Sequence, residues 1–145
     1  MATVADIIAG KSSHVYSITP DASVLEATHK MNRHRIGSLI VLENEQIVGI
    51  LSDRDILMRV VQEEKNPRQV KVSDAMTRDI IICRPDTSLE DASSIMMNHR
   101  VRHLPVCDCD GRLMGMVSIG DLNAQHVSEQ EVTIHYLHDY LYGRV

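Results

Sequence analysis

The chain is written twice, and that constrains its fold more than any other feature. Gly49-Ile50-Leu51-Ser52-Asp53-Arg54-Asp55 and Gly115-Met116-Val117-Ser118-Ile119-Gly120-Asp121 share one pattern. In each, an apolar run ends in a serine and an aspartate follows three residues later. Upstream, Pro20-Asp21-Ala22-Ser23-Val24-Leu25-Glu26-Ala27 returns as Pro85-Asp86-Thr87-Ser88-Leu89-Glu90-Asp91-Ala92, an offset of 65 residues. Met31 returns as Met96, and His34-Arg35-Ile36 as His99-Arg100-Val101, at the same offset. One extra residue enters the second copy near Asp110-Gly111, and the first copy is longer near Lys11-Ser12-Ser13, between Val4-Ala5-Asp6-Ile7-Ile8 and its counterpart Val72-Ser73-Asp74-Ala75-Met76. A duplicated sequence of this period folds as two like units that cover each other's apolar faces.

Each unit reads as strand, helix, strand, strand, helix after a short lead-in. The first strand spans Val15 to Ile18, or Ile80 to Cys83, and ends at Pro20 or Pro85 because proline cannot donate to a ladder. The helix that follows begins at a capping box, Ser23-Val24-Leu25-Glu26 or Ser88-Leu89-Glu90-Asp91. Val24, Ala27 and Met31 share one helical face, as do Leu89, Ala92 and Met96. A hairpin comes next: Leu39 to Leu42 with Ile47 to Leu51, and Leu104 to Cys107 with Leu113 to Val117. Asp110-Gly111 is a turn signal for the second. The second helix starts at Ser52 or Ser118. These signals divide the chain into a first copy over residues 1–64, a polar linker over 65–71, a second copy over 72–127 and a C-terminal helix over 128–145. That last helix is read from the capping box Ser128-Glu129-Gln130-Glu131, the shared face of Ile134, Leu137 and Leu141, and a stop at Gly143. The fold class is α+β.

A chain of 145 residues buries enough surface for a real core, and with no Trp, no Phe and four Tyr that core is aliphatic. The net charge of −5 argues against a general phosphate-backbone binder, so no DNA is expected. The N-terminus lacks a basic start followed by an apolar stretch, and no apolar run reaches the roughly 18 residues that span a bilayer, so a cytoplasmic, non-membrane protein is expected. Cys83, Cys107 and Cys109 have no framework spacing and suit free thiols in a reducing compartment. Cys107-Asp108-Cys109 lacks the second ligand pair that zinc needs, and His135 and His138 make only a lone pair, so no metal site is expected. No Ser/His/Asp or Cys/His arrangement supports nucleophilic catalysis, so no catalytic residues and no enzyme activity are expected.

The repeat, Arg102-His103-Leu104-Pro105-Val106, and the doubled Gly-x-x-Ser-x-x-Asp together resemble the CBS-domain pair, or Bateman module, in the form of a small stand-alone bacterial protein. The resemblance covers essentially the whole chain. It implies two tandem repeats packed through their sheets with pseudo-twofold symmetry, and a flat homodimer of two such modules. It also implies a regulatory role toward an unidentified protein target. No cofactor is required, and the ligand it implies is an adenine nucleotide: AMP, ADP, ATP, NAD or S-adenosylmethionine.

The resemblance also assigns roles. Asp121, and Asp55 in the first copy, would hold ribose hydroxyls beside Ser118 and Ser52. Ser-x-x-Asp is equally a helix capping box, and the two roles are compatible. Arg102 and His103 would meet phosphate, with Gly37 and Ser38 in the corresponding place offering backbone donors and one hydroxyl. Thr19 and Val24 would line the adenine pocket, with Ile36 and Met116 packed on the base. The second site would use Arg84, Leu89, Val101 and Ile50, with Arg54 a lesser phosphate contact. Arg84 is large where Thr19 is small, so its head reaches for phosphate or obstructs the base. Without the resemblance, the apolar members read as ordinary core. The competing reading is an interaction or scaffold protein with a vestigial cleft, in which the faces of the tail helix matter more.

Overall fold

The computed structural model describes residues 2–10 and 15–142. Lys11, Ser12, Ser13 and the expected stop at Gly143 lie outside the described residues. The chain begins with helix α1 (Val4–Gly10), followed by β1 (Ser17–Ile18), α2 (Val24–His34), β2 (Ser38–Glu43), β3 (Gln46–Ser52) and α3 (Asp53–Ile56). Helix α3 continues as a π-helical turn over Leu57–Val61. The second copy supplies α4 (Val72–Ala75), α5 (Leu89–His99), β4 (His103–Cys107), β5 (Leu113–Ser118) and α6 (Ile119–Tyr142). This is the expected α+β order of elements, with two departures.

The first departure is in the sheets. In the first copy β1 pairs parallel with β2, and β2 pairs antiparallel with β3. In the second copy β4 and β5 form the hairpin alone, and the strand expected over Ile80 to Cys83 contracts to one parallel bridge, Cys83 with Val106. Proline explains the difference. The Ile40 N–H donates to the Tyr16 carbonyl at 3.2 Å. The residue at the position of Ile40 in the second copy is Pro105, which has no N–H to donate. Only the flanking bonds survive there, Cys83 N–H to Pro105 O at 2.9 Å and Cys107 N–H to Cys83 O at 3.0 Å.

The second departure is at the C-terminus. Helix α6 is one continuous element of 24 residues, so no new helix starts at Ser128. No Gly or Pro interrupts the sequence between Asp121 and Tyr142, and a capping box needs a chain break to cap. Leu122, near the start of α6, is buried. Further along, Ile134, Leu137 and Leu141 are 66%, 50% and 71% exposed.

Helix ends follow the sequence signals. Ser23 Oγ accepts the Glu26 N–H at 3.1 Å, and Ser88 Oγ accepts the Asp91 N–H at 3.0 Å. Both helices close on an arginine in the left-handed conformation, Arg35 with φ 54° and Arg100 with φ 55°.

The core is arranged crosswise. Val24, Ala27, Met31, Leu39, Val41, Leu51 and Val60 of the first copy are joined by Val72, Ala75 and Met76 from the second. Cys83, Ala92, Met96, Leu104, Val106, Val117 and Leu122 of the second are joined by Val4 and Ile7 from the first. The backbone bonds mirror one another: Val72 N–H to Ala22 O at 2.8 Å, and Val4 N–H to Thr87 O at 2.9 Å. Each lead-in helix thus completes the core of the opposite copy, under pseudo-twofold symmetry. Gly49 and Gly115 make room for it. A Cβ at Gly49 would press on Met76 and stand 3.0 Å from the Thr77 carbonyl, and one at Gly115 would stand 3.3 Å from Ile8.

Candidate functional site

The crossing of α4 onto the first copy creates a cavity of about 310 Å³. Four segments meet around it: Gly37 and Ser38 at the start of β2, Ile50 with Ser52 to Asp55 where β3 turns into α3, Thr77 with Asp79 to Ile81 after α4, and Arg100 to His103 leading into β4.

Asp55 is the fixed point. It is 6% exposed, and a carboxylate so buried must be hydrogen-bonded. Its Oδ2 accepts the Ser52 N–H at 2.9 Å and the Ser52 hydroxyl at 3.0 Å, while Ser52 Oγ accepts the Asp55 N–H at 3.2 Å. This is the reciprocal capping box that the Ser-x-x-Asp spacing predicts. Its Oδ1 accepts the Thr77 hydroxyl at 3.0 Å. Thr77 is itself held by a backbone pair with Ile50, at 2.8 and 3.0 Å. Arg59, in the π-helical turn, donates to the Ala75 and Met76 carbonyls at 2.9 and 2.6 Å and approaches Asp55 Oδ1 at 4.0 Å. The carboxylate therefore ties the second helix of one copy to the lead-in of the other.

Charge of both signs faces the cavity. Arg54, Arg100, Arg102 and His103 oppose Asp53, Asp55 and Asp79. Arg102 Nη2 lies 3.9 Å from Asp53 Oδ1, an ion pair between the copies. Ile50, Ile80, Ile81 and Val101 supply an apolar wall. Such a cavity can hold a flat apolar ring, hydrogen-bond hydroxyls and meet anionic oxygens.

The residues singled out in the sequence divide between this cavity and other places. The cavity gathers Ile50, Ser52, Arg54, Asp55 and Val101 with Gly37, Ser38, Arg102 and His103, which the family resemblance assigns to two separate sites. Ser118 and Asp121 lie outside its lining and form their own capping box at the start of α6, at 2.8 and 3.1 Å. Met116 Sδ is 4.0 Å from the Ser38 hydroxyl. Val24 is fully buried in the first core, and Ile36 packs against that core. Leu89 packs against the second core. Thr19 is exposed, and its carbonyl accepts the Ala22 N–H at 3.3 Å. The Arg84 head donates to the Asp108 carbonyl at 2.6 Å, on the hairpin turn rather than at the cavity.

Asp53, Thr77, Asp79, Ile80, Ile81 and Arg100 line the cavity and were not singled out in the sequence. Thr77 and Asp79 to Ile81 reach it only because α4 crosses to the first copy, and a repeat pattern carries no sign of that crossing. The signal that was present is Arg100, which adjoins Val101 and Arg102.

Cys83, Cys107 and Cys109 are free thiols, the first two buried and the third exposed. Among the described residues no helix is long and apolar enough to cross a membrane.

The family model for the CBS domain matches this chain twice, over residues 4–62 and 72–125. The chain is 34% identical over 119 residues to the CBS domain-containing protein YhcV of Bacillus subtilis, covering 82% of this chain and 84% of YhcV. It is similar in structure to a protein with CBS domains from Burkholderia ambifaria, with TM-score 0.85 and 34% identity over 89% of this chain and 96% of that one. It is also similar to CBSX2 in complex with AMP, with TM-score 0.76 and 27% identity over 90% of this chain and 99% of that one. With the crossed core and the doubled Ser-x-x-Asp turn, these matches make the chain a member of the CBS-domain family, built as a tandem CBS pair.

Proposed function

We propose that this chain is a non-catalytic sensor that binds an adenine nucleotide in the cleft between its two CBS repeats. The observation that carries this reading is the cavity around Asp55. A buried carboxylate, an apolar wall and a cluster of Arg and His side chains converge there from both copies. In this reading the base lies on Ile50, Ile80, Ile81 and Val101. The ribose hydroxyls donate to Asp55, whose carboxylate has acceptor capacity beyond the bonds from Ser52 and Thr77. Phosphate meets Arg54, Arg100, Arg102 and His103. The AMP held by CBSX2 supports this ligand class. AMP, ADP, ATP, NAD and S-adenosylmethionine are the candidates.

A second, related site is proposed around Ser118 and Asp121, with Ile36 and Met116 toward the base. Binding across both copies shifts the angle between them only if the ligand prefers one geometry. A homodimer reads that shift out to a protein target. Leu57 and Val61, 60% and 59% exposed, offer apolar surface for such an assembly. The exposed Ile134, Leu137 and Leu141 of α6 favour a second reading, in which the tail binds a protein and the cleft stays empty.

Thermal unfolding of nucleotide-free protein separates the two. A ligand at ~100 times its Kd adds about 2.7 kcal/mol. For a chain of this length that raises Tm by roughly 5–10 °C. We expect a rise with at least one of the five ligands and its loss in Asp55→Asn. A flat panel moves the assignment to the scaffold reading.

A further inference from the structure

We infer that Asp53 is a specificity-determining residue of the Asp55 cavity, setting how strongly the site prefers ligands that carry phosphate. This rests on the nucleotide reading above and adds a residue that the Ser-x-x-Asp pattern does not include.

One backbone contact recurs in both copies. The Asp53 N–H donates to the Gly37 carbonyl at 2.9 Å, and the Ile119 N–H donates to the Arg102 carbonyl at 2.9 Å. Each residue follows the serine of its capping box, so Asp53 and Ile119 occupy one position in the two copies, and Gly37 and Arg102 occupy another. The backbone is the same and the side chains are not. The first copy puts a carboxylate where the second puts the sec-butyl group of isoleucine.

That carboxylate lies over Gly37. A Cβ added there would stand 3.4 Å from Asp53 Oδ2, an ordinary van der Waals contact, so the two residues are neighbours on the cavity wall. Its Oδ1 accepts the Arg54 N–H at 2.8 Å and stands 3.9 Å from Arg102 Nη2. Arg102 belongs to the other copy and is the cation in line with the phosphate role. With the cavity empty, its charge is partly neutralised by Asp53. A phosphate that enters must compete with Asp53 for Arg102 and is repelled by the Asp53 carboxylate itself. The uncharged part of the ligand feels neither effect. Around Ser118 and Asp121 the equivalent Ile119 imposes no such discrimination.

The pair is well exposed, 70% for the Arg102 side chain and 62% for that of Asp53. Exposed pairs change an equilibrium by up to about fivefold, so the effect tunes selectivity and does not hold the fold together.

The test is calorimetric titration of adenosine and AMP into nucleotide-free protein, comparing the unmodified chain with Asp53→Asn. Asn keeps the shape and can still accept the Arg54 N–H. Asp53→Ile, which makes the two copies alike, serves as a second variant. The expected result is AMP binding about fivefold tighter in both variants with adenosine unchanged, and a gain that shrinks in ~1 M salt. In an Arg102→Gln background, Asp53→Asn should have a smaller effect, because the competition passes through that arginine. A residue serving only as the first position of α3 would shift both ligands together or neither. An unchanged ratio of AMP to adenosine affinity overturns this assignment and leaves the nucleotide reading standing. No binding of either ligand to the unmodified chain overturns this assignment, and a flat thermal panel beside it overturns both.

Discussion

At the scale of residues, Asp55 serves structure before it serves any ligand. It is 6% exposed and accepts from the Ser52 backbone, the Ser52 hydroxyl and Thr77. Asp55→Ala leaves those half-buried donors without their acceptor, at about 1–3 kcal/mol for each group that finds no substitute. Denaturant titration should therefore show a loss of at least about 2 kcal/mol, whereas an exposed carboxylate such as Asp86 should cost under ~0.5 kcal/mol when replaced. The thiols give a second prediction at this scale. Burial pushes Cys83 up to about 11, with the neighbouring Cys107 adding to the shift, and burial also raises Cys107. At pH 8 both buried thiols are therefore held in the protonated form, and the thiolate is the reactive one. Mass spectrometry after brief alkylation of the native protein should find Cys109 modified well ahead of Cys83 and Cys107. Equal labelling of all three would contradict the buried placement. The cap at Ser52 and Asp55 was legible in the sequence because it rests on a three-residue spacing. The Thr77 contact was not, because it depends on where a distant helix lands.

At the scale of elements, the same limit explains what was read and what was missed. Helices α2 and α5 announced themselves through Ser23 and Ser88 and through the spacing of their buried faces, which are local signals. The lost strand before Pro85 was written in the chain as Pro105, but reading it required pairing that residue with Ile40 and knowing what Ile40 donates to. The single long α6 was divided in the sequence because Ser128 sits in a capping pattern, and a local pattern does not reveal that the preceding residues are already helical. Gly49 and Gly115 test the element-level account of the crossed helices. Gly49→Ala drives a methyl against Met76 and the Thr77 backbone and should destabilise by about 1–3 kcal/mol. The nearest atoms to a methyl in Gly115→Ala belong to the Ile8 side chain, at 3.3–3.4 Å, which can turn aside, so its cost should be smaller. Chemical denaturation of the two variants checks the order, and a costlier Gly115→Ala would contradict it.

At the scale of the whole molecule, neither core belongs to one copy. Val4 and Ile7, 0% and 8% exposed, complete the second copy, and Val72 and Ala75, both fully buried, complete the first. Removing residues 2–10 should therefore weaken the second copy, distant in sequence, before the first. Hydrogen exchange should show protection lost first in β4 and β5, while β2 and β3 keep theirs. Loss in β2 and β3 first would contradict the crossed arrangement. The crossing also bears on how the molecule is made. Synthesis proceeds from the N-terminus. Helix α1 leaves the ribosome ahead of the elements it packs on, and its apolar face has no seat until β5, residues 113–118, has been made. The first copy waits in turn for Val72 to Met76. The first copy is thus unfinished until Met76 has been made and the second until β5 and the start of α6 have followed, and both close over long loops, which makes for slow folding.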